Sequence, residues 1–462
     1  MLSVQPCSLC IRPRDKMMNQ KSIGGLPHAP AIPLARQVQT YTRFGTTFEP
    51  WEYTNWIDES MSWKETLYIG DWSPLGKLRV KGRDALKFFA SIAVNSFAKF
   101  AIGQAKHIIL CNKAGKIMGE GVLMKLAEED YLFTSGPGVA WADYLFRKGG
   151  YDAEAKQIGN SQFILQLQGP DSLFVMEKAT GESLRDVGFM RFRNTQIGNK
   201  QFLALRQGMA GEIGYELHGP IEHAIEIYNT LLEVGREFGM RRLGGRTKMV
   251  NHVEACFPTP SVDYVPAIFG EDEKEFALTL SENAREIYRT TDGSFEYTDI
   301  SELYRTPVEL GWKKNVKFDH DFIGRAALEP EVANPKRTMA TLVWNADDVA
   351  DVYASLFRKG TPYQYMEMPR NMLGCVFADK VMKDGEIVGV STSRCYSYYF
   401  RQMLSLCVLN VALCNPGMEV TVVWGRPGMP QKPIRATVAP APYKRDNRRL
   451  DVSQLSWQSP AS

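Results

Sequence analysis

Apolar residues recur along this chain with two periods. Period-two alternation predicts strands at "KLRVKG" (Lys77–Gly82) and "SQFILQLQGP" (Ser161–Pro170). Between Lys106 and Phe133 the turn signal "NKAG" parts two apolar runs, which predicts a hairpin or meander. Helical spacing appears in "RDALKFFASIAV", "GVAWADYLFRKGG", "DSLFVMEKAT" and "IEHAIEIYNTLLEVGREFG". In "RQGMAGEIGYELHGP" (Arg206–Pro220) a second strand pair follows a glycine-rich loop. Alternation there turns Ile213, Tyr215 and Leu217 toward a core and Gly214, Glu216 and His218 the other way.

The pattern changes along the chain. Residues 1–43 carry Pro, Lys and Arg with little acid and read as a flexible leader. Residues 44–310 form one mixed region, interrupted at about 261–305 by a stretch without clear period, expected as an irregular insertion. Residues 311–445 are strand-rich and punctuated by turns, which predicts a compact β domain. Residues 446–462 are a tail, and "KRDNRR" (Lys444–Arg449) is expected to be solvated. The class is α+β with mixed or antiparallel sheets.

Composition narrows the function classes. With 462 residues, 44% hydrophobic and 23% charged, the chain can bury a large core. A net charge of +3 without strong clustering argues against nucleic acid. The longest apolar run, Met403–Cys414, falls short of the ~20 residues of a membrane helix. Eight cysteines do not make a disulfide scaffold; Cys395, Cys407 and Cys414 are expected as small buried hydrophobes. Cys7 and Cys10 form one C-x-x-C with no second pair, so no metal is expected. A reducing, cytoplasmic setting follows, with the oligomeric state left open. No phosphate loop or dinucleotide fingerprint occurs, and the six histidines include no H-E-x-x-H.

Glu216 is the notable chemical feature. A carboxylate on a strand face beside glycines can accept two parallel hydrogen bonds from an N–H/NH2 edge, such as a pterin offers. An ordinary solvated strand face fits the same pattern.

Longer words decide which reading to pursue. L-Q-G-P (Leu167–Pro170), G-M-A-G-x-x-G-x-E-L (Gly208–Leu217) and D-F-I-G-R (Asp321–Arg325) together resemble the glycine-cleavage aminomethyltransferase superfamily. "NW" (Asn55–Trp56), "GRDALK", "NS" (Asn95–Ser96), "LAEED", "GGYD", "VKFDHDFIGR", "YASLF", "YSY" and "VVWG" resemble in particular its tetrahydrofolate-dependent aromatic O-demethylases, of vanillate and syringate type. The resemblance runs from about Phe44 to Tyr443.

It implies a three-lobed fold, with a barrel-like β-rich C-terminal domain and tetrahydrofolate in a central channel. Glu216 would hold the pterin, with Gln168 and Gln166 beside it. Glu120 falls where relatives carry an aspartate near the folate. Phe257 would be an aromatic wall, and Arg401 would meet the carboxylate tail or lie on the surface. The donor half departs from the vanillate type. Thr46, Ser73 or Pro74, Ser135 and Lys248 stand where those enzymes carry tyrosine, histidine, arginine and tyrosine.

The implied reaction moves a methyl group from a methoxylated arene, a small-molecule donor, to tetrahydrofolate. The products are a phenol and 5-methyltetrahydrofolate. A phenolate leaves with a conjugate-acid pKa near ~10, so a proton or positive charge at its oxygen is needed. "GGRTKMVNHVEACF" (Gly244–Phe257) offers Lys248 and His252 for that task, with Arg246 and Asn251 as neighbours. Trp51, Tyr53, Trp56 and Trp63 could wall a ring or fill a core. Other folate methyl or aminomethyl transfers, with a sulfonium or N-methyl donor, and a non-catalytic folate-binding role are the alternatives.

Overall fold

The computed structural model describes residues 22–23, 26–29, 31, 38, 40–370, 372 and 374–457. Most of the expected leader, with Cys7 and Cys10, lies outside the described residues. His28, Ala29 and Ala31 are buried, with the Ala29 amide donating to the Phe48 carbonyl.

Three β layers, each with its own core, make up the described chain. The first is an antiparallel sheet ordered Glu154–Gln157, Gly76–Lys81, Asp130–Ser135, Ile117–Ala127, Ala105–Cys111. Ala105–Cys111, Ile117–Ala127 and Asp130–Ser135 are the meander expected from "NKAG". Helices Ala85–Ile92 and Gly138–Lys148 cover it, burying Phe88, Phe89 and Trp141.

The second sheet is ordered Phe192–Ile197, Lys200–Arg206, Gly214–Pro220, Gln162–Gln168, Tyr68–Asp71, Arg241–Arg242. Its pairings are antiparallel except the last, which is parallel. Tyr215 and Leu217 are fully buried against helices Ser172–Thr180 and Ala224–Gly235, as the alternation predicts. The pairing sets Gln166 directly opposite Glu216 and Gln168 opposite Gly214.

The third layer is a closed barrel of strands Arg337–Trp344, Gln402–Asn410, Glu386–Ser397, Asp379–Lys383, Glu419–Trp424 and Lys432–Ala439. The expected α+β class and barrel-like C-terminal domain are both present. Among the described residues no helix is long and apolar enough to cross a membrane.

Helix Gly245–Glu254 joins the layers, and every residue in it except Arg246 is buried. Such all-round burial needs partners for its polar groups. Glu254 accepts from Trp63 Nε1 at 3.0 Å, Lys64 Nζ at 2.9 Å and Ser397 Oγ at 2.6 Å.

Two expectations need correction. The 261–305 stretch is not simply irregular: it holds helices Lys274–Thr279 and Glu282–Arg289. Phe276, of the first of these, and Leu303, beyond the second, pack into the first core. "KRDNRR" is not a free tail either. Lys444 is buried because Glu212 Oε2, at 2.7 Å, and the Gly211 carbonyl, at 2.9 Å, accept its ammonium. Val452 then enters the core of the second sheet. Cys395 and Cys407 are buried as expected, and Cys414 is half-buried.

Candidate functional site

A cavity of about 1400 Å³ opens where the layers meet. The first sheet contributes Glu120 and Ser135, the second Gln166 and Glu216, and the connecting helix Lys248 and His252.

Glu216 faces the cavity yet is 4% exposed, so its face of the strand is buried rather than solvated. Its Oε2 accepts from Gln166 Nε2 at 2.7 Å and Gln207 Nε2 at 2.6 Å; its Oε1 lies 2.8 Å from His218 Nε2. Burial alone would raise the carboxyl's pKa. The bonds and charge of His218, with those from the two glutamines, outweigh it and hold the group below its ordinary value. Gln168 supports this row from behind. Its Nε2 donates to Gln166 Oε1 at 3.0 Å, and its Oε1 accepts from the Ala210 amide at 2.7 Å.

A second cluster surrounds Lys248. Its ammonium meets Glu49 Oε1 at 2.9 Å and Oε2 at 2.7 Å; the Asp71 carbonyl is farther, at 3.5 Å. The nitrogen lies 3.8 Å from the Phe44 ring centroid and 4.6 Å from that of Trp72. Burial lifts the Glu49 carboxyl to about 6, against the opposing pull of Lys248. Close packing brings Gly245 against Thr42, Glu49 and Trp51, so these residues are one contiguous wall.

One helical turn beyond Lys248 stands His252. Its Nδ1 is 2.7 Å from Thr259 Oγ1, and its buried Nε2 has no hydrogen-bond partner among the described residues. Burial, with the Lys248 charge, depresses it to about 3, so the ring is neutral. Phe257 lies between His252 and His107, at 5.7 and 6.1 Å between centroids. Glu120 Oε2 is 2.7 Å from His107 Nε2.

The sequence candidates therefore divide. Glu216, Gln166, Glu120, Phe257, Lys248, His252, Ser135 and Thr46 line the cavity, as does Pro74. Gln168, Ser73, Asn251, Arg246 and Arg401 are not among the lining residues. Ser73 is sealed in the interior, its Oγ accepting from the Ile164 amide at 2.9 Å. Asn251 Nδ2 donates to Tyr68 Oη at 3.0 Å. Arg246, the one half-buried residue of its helix, pairs with Glu52 at 2.9 Å. Arg401 is exposed over the Tyr398 ring, so its surface alternative holds. Trp51 lines the cavity, whereas Trp63 is core.

Sequence reasoning missed Glu49, Trp72, Gln207 and His107. Alternation could have flagged Glu49 in "TFEP", a lone acid between apolar neighbours; nothing in the sequence marks Gln207. Among the described residues no group of three or more His, Cys, Asp or Glu could hold a metal ion.

The GCVT N-terminal domain family matches residues 35–268. The chain is 37% identical over 429 residues to the sesamin methylene transferase of Sinomonas sp. (strain No.22), covering 88% of this chain and 93% of that one. It is 32% identical over 416 residues to the syringate O-demethylase of Sphingobium sp. (strain NBRC 103272 / SYK-6), covering 85% and 89%. In fold it is similar to the glycine cleavage system aminomethyltransferase T of Bartonella henselae, with a TM-score of 0.66 at 19% identity over 88% of this chain and 95% of that chain. The chain belongs to the GCVT, or glycine-cleavage aminomethyltransferase, family.

Proposed function

We propose that this chain is a tetrahydrofolate-dependent O-demethylase. It moves a methyl group from a methoxylated arene to tetrahydrofolate, leaving a phenol and 5-methyltetrahydrofolate. The observation that carries the reading is a buried, ionised Glu216 facing the same cavity as the buried Lys248 ammonium.

The donor set fits a pteridine. A carboxylate offers about four acceptor positions, and three on Glu216 are taken by Gln166, Gln207 and His218. Gln207 is the partly exposed one of these partners and can yield a second position. Glu216 and Gln166 would then hold an N–H/NH2 edge, and Phe257 and His107 would flank the ring. When bound, tetrahydrofolate supplies the nitrogen nucleophile that takes the methyl carbon.

The chain's own residues do the rest. Phe44, Trp51 and Trp72 bind an aromatic donor by area and exclude water. Lys248 offers its one spare N–H where the phenolate oxygen develops, and gives or stabilises its proton. Glu49 fixes the Lys248 ammonium in place, and neutral His252 adds no competing charge beside it. Holding donor and acceptor together supplies much of the remaining acceleration.

The test is incubation of purified protein with tetrahydrofolate and a panel of methoxybenzoates, methoxybenzenes and sulfonium compounds. Methylated folate is expected from one or more of the methoxyarenes and from no sulfonium compound. In calorimetry Glu216→Ala is expected to weaken folate binding by roughly tenfold or more, the worth of a charge-assisted pair of hydrogen bonds. Unchanged binding overturns the reading. Transfer of a methylene group is the second reading, favoured by the relative named for it. The mass of the folate product separates the two.

A further inference from the structure

We propose that Glu49 sets the class of donor: by cancelling the charge of Lys248 it makes this end of the cavity take uncharged aryl ethers and refuse aryl carboxylates. This rests on the demethylase reading for its chemistry, but its charge rule can be tested without it.

Lys248 has three N–H donors, and two are held by the Glu49 oxygens at 2.7 and 2.9 Å. The third has only the Asp71 carbonyl, at 3.5 Å. One spare donor suits an ether oxygen, which is neutral and accepts a single hydrogen bond. A carboxylate in the same place would need more donors, and would bring its charge against that of Glu49. The surrounding Thr42, Phe44, Trp51 and Trp72 are uncharged.

Among the described residues that line the cavity, no second buried cation offsets this. Lys77, nearby on the first sheet, gives its ammonium to the carbonyls of Ser73 at 2.7 Å and Leu75 at 2.9 Å, and lies within the field of Asp71. Lys248 and Lys77 therefore stand against Glu49 and Asp71; the other cations lining the cavity, Arg43, Lys106, Lys314, Lys317, Arg448 and Arg449, are exposed or half-buried rather than desolvated beside Glu49. Arg43 lies at the exposed mouth, its Nε on the Gly45 carbonyl at 2.7 Å. Desolvating a carboxylate beside Glu49 without a free cation is strongly unfavourable, a cost that the uncharged ether does not meet.

Two probes that differ only in the carboxylate test this: 1,2-dimethoxybenzene and 3,4-dimethoxybenzoate. Binding to the full chain is read by quenching of its tryptophan fluorescence, which Trp51 and Trp72 report. Methyl transfer to tetrahydrofolate is measured in parallel. The wild-type protein is expected to bind the uncharged probe at least roughly tenfold more tightly, and Glu49→Gln to shift the ratio roughly tenfold or more toward the benzoate, as one freed charge-assisted bond allows.

Equal or tighter binding of the benzoate by the wild type overturns the proposal, and so does binding of neither probe. A ratio unmoved in a folded Glu49→Gln variant overturns it as well. If that variant does not fold by circular dichroism, the wild-type ratio decides alone. Selective binding without any methyl transfer would sink the demethylase reading and leave the charge rule standing. Preferred transfer from the benzoate would do the reverse.

Discussion

Burial pushes Glu216 and Glu49 the same way, yet their acidities end on opposite sides of the ordinary value. Glu216 receives donors on both oxygens from His218 and two glutamines, and stays ionised. Glu49 has one cationic partner and a second carboxylate, Asp71, nearby, and rises to about 6. His252 shows the third outcome. With its Nε2 unpartnered and Lys248 one turn away, it is depressed to about 3. Its folded-state pKa lies below the ~6.5 of an unfolded histidine, so the unfolded chain binds the proton first. Stability from this residue is full above ~6.5 and is lost as pH falls toward 3. Between pH 7 and 5 the loss attributable to His252 is about 2 kcal/mol. Urea unfolding of His252→Gln is expected to show that much less acid sensitivity than the wild type; an identical slope would refute the neutral, buried assignment. At this scale Glu216 was legible, because strand alternation separates an acid from its apolar neighbours. Glu49 carries the same alternation, but its pairing with Lys248, 199 residues away in sequence, leaves no local trace.

Elements place these side chains more than propensity does. The Glu216 strand sits against the Gln166 strand with no space for a side chain at Gly214. A Cβ there would lie 2.5 Å from Gln168 Cγ and 2.6 Å from the Leu167 carbonyl oxygen. Gly214→Ala must push the strands apart at the row that aligns Gln168, Gln166 and Glu216. A loss of about 1–3 kcal/mol is expected, the range for overpacking, together with weaker folate binding. A wild-type melting curve and affinity would show the contact to be slack. The connecting helix explains why Arg246 and Asn251 were placed among the site residues and do not line the cavity. A helix buried on nearly every side has no amphipathic phase to say which face meets the cavity. The regular strands and the helices over each sheet carried clear periods, and so were readable.

For the whole molecule, the three layers are held by connections distant in sequence. The last described residues belong to the second sheet's core: Lys444 and Asn447 bind Glu212, Arg206 donates to the Leu450 carbonyl, and Val452 is buried. Arg448 and Arg449 also reach the cavity rim. Ending the chain after Tyr443 is expected to lower the melting temperature by roughly 5 °C or more, since several buried partners are orphaned at once. A tail that could be removed without effect would contradict this packing. Charge composition alone made that tail look solvated, because ion pairs that close over 232 residues leave no local trace. The barrel was legible from its turn-punctuated strands. The 261–305 helices were not: Phe276 of the first packs into a core built by other elements, and the second buries no residue.

The direct opposition of Gln166 and Glu216 bears on how this chain can have diverged. Adding or losing one residue in either strand would turn the whole of it over, exchanging its buried apolar set for its polar one. Length changes between this chain and its relatives should therefore accumulate in connections such as 261–305 and stop at the borders of Gln162–Gln168 and Gly214–Pro220. An ungapped block across these two strands is what an alignment of relatives should reveal.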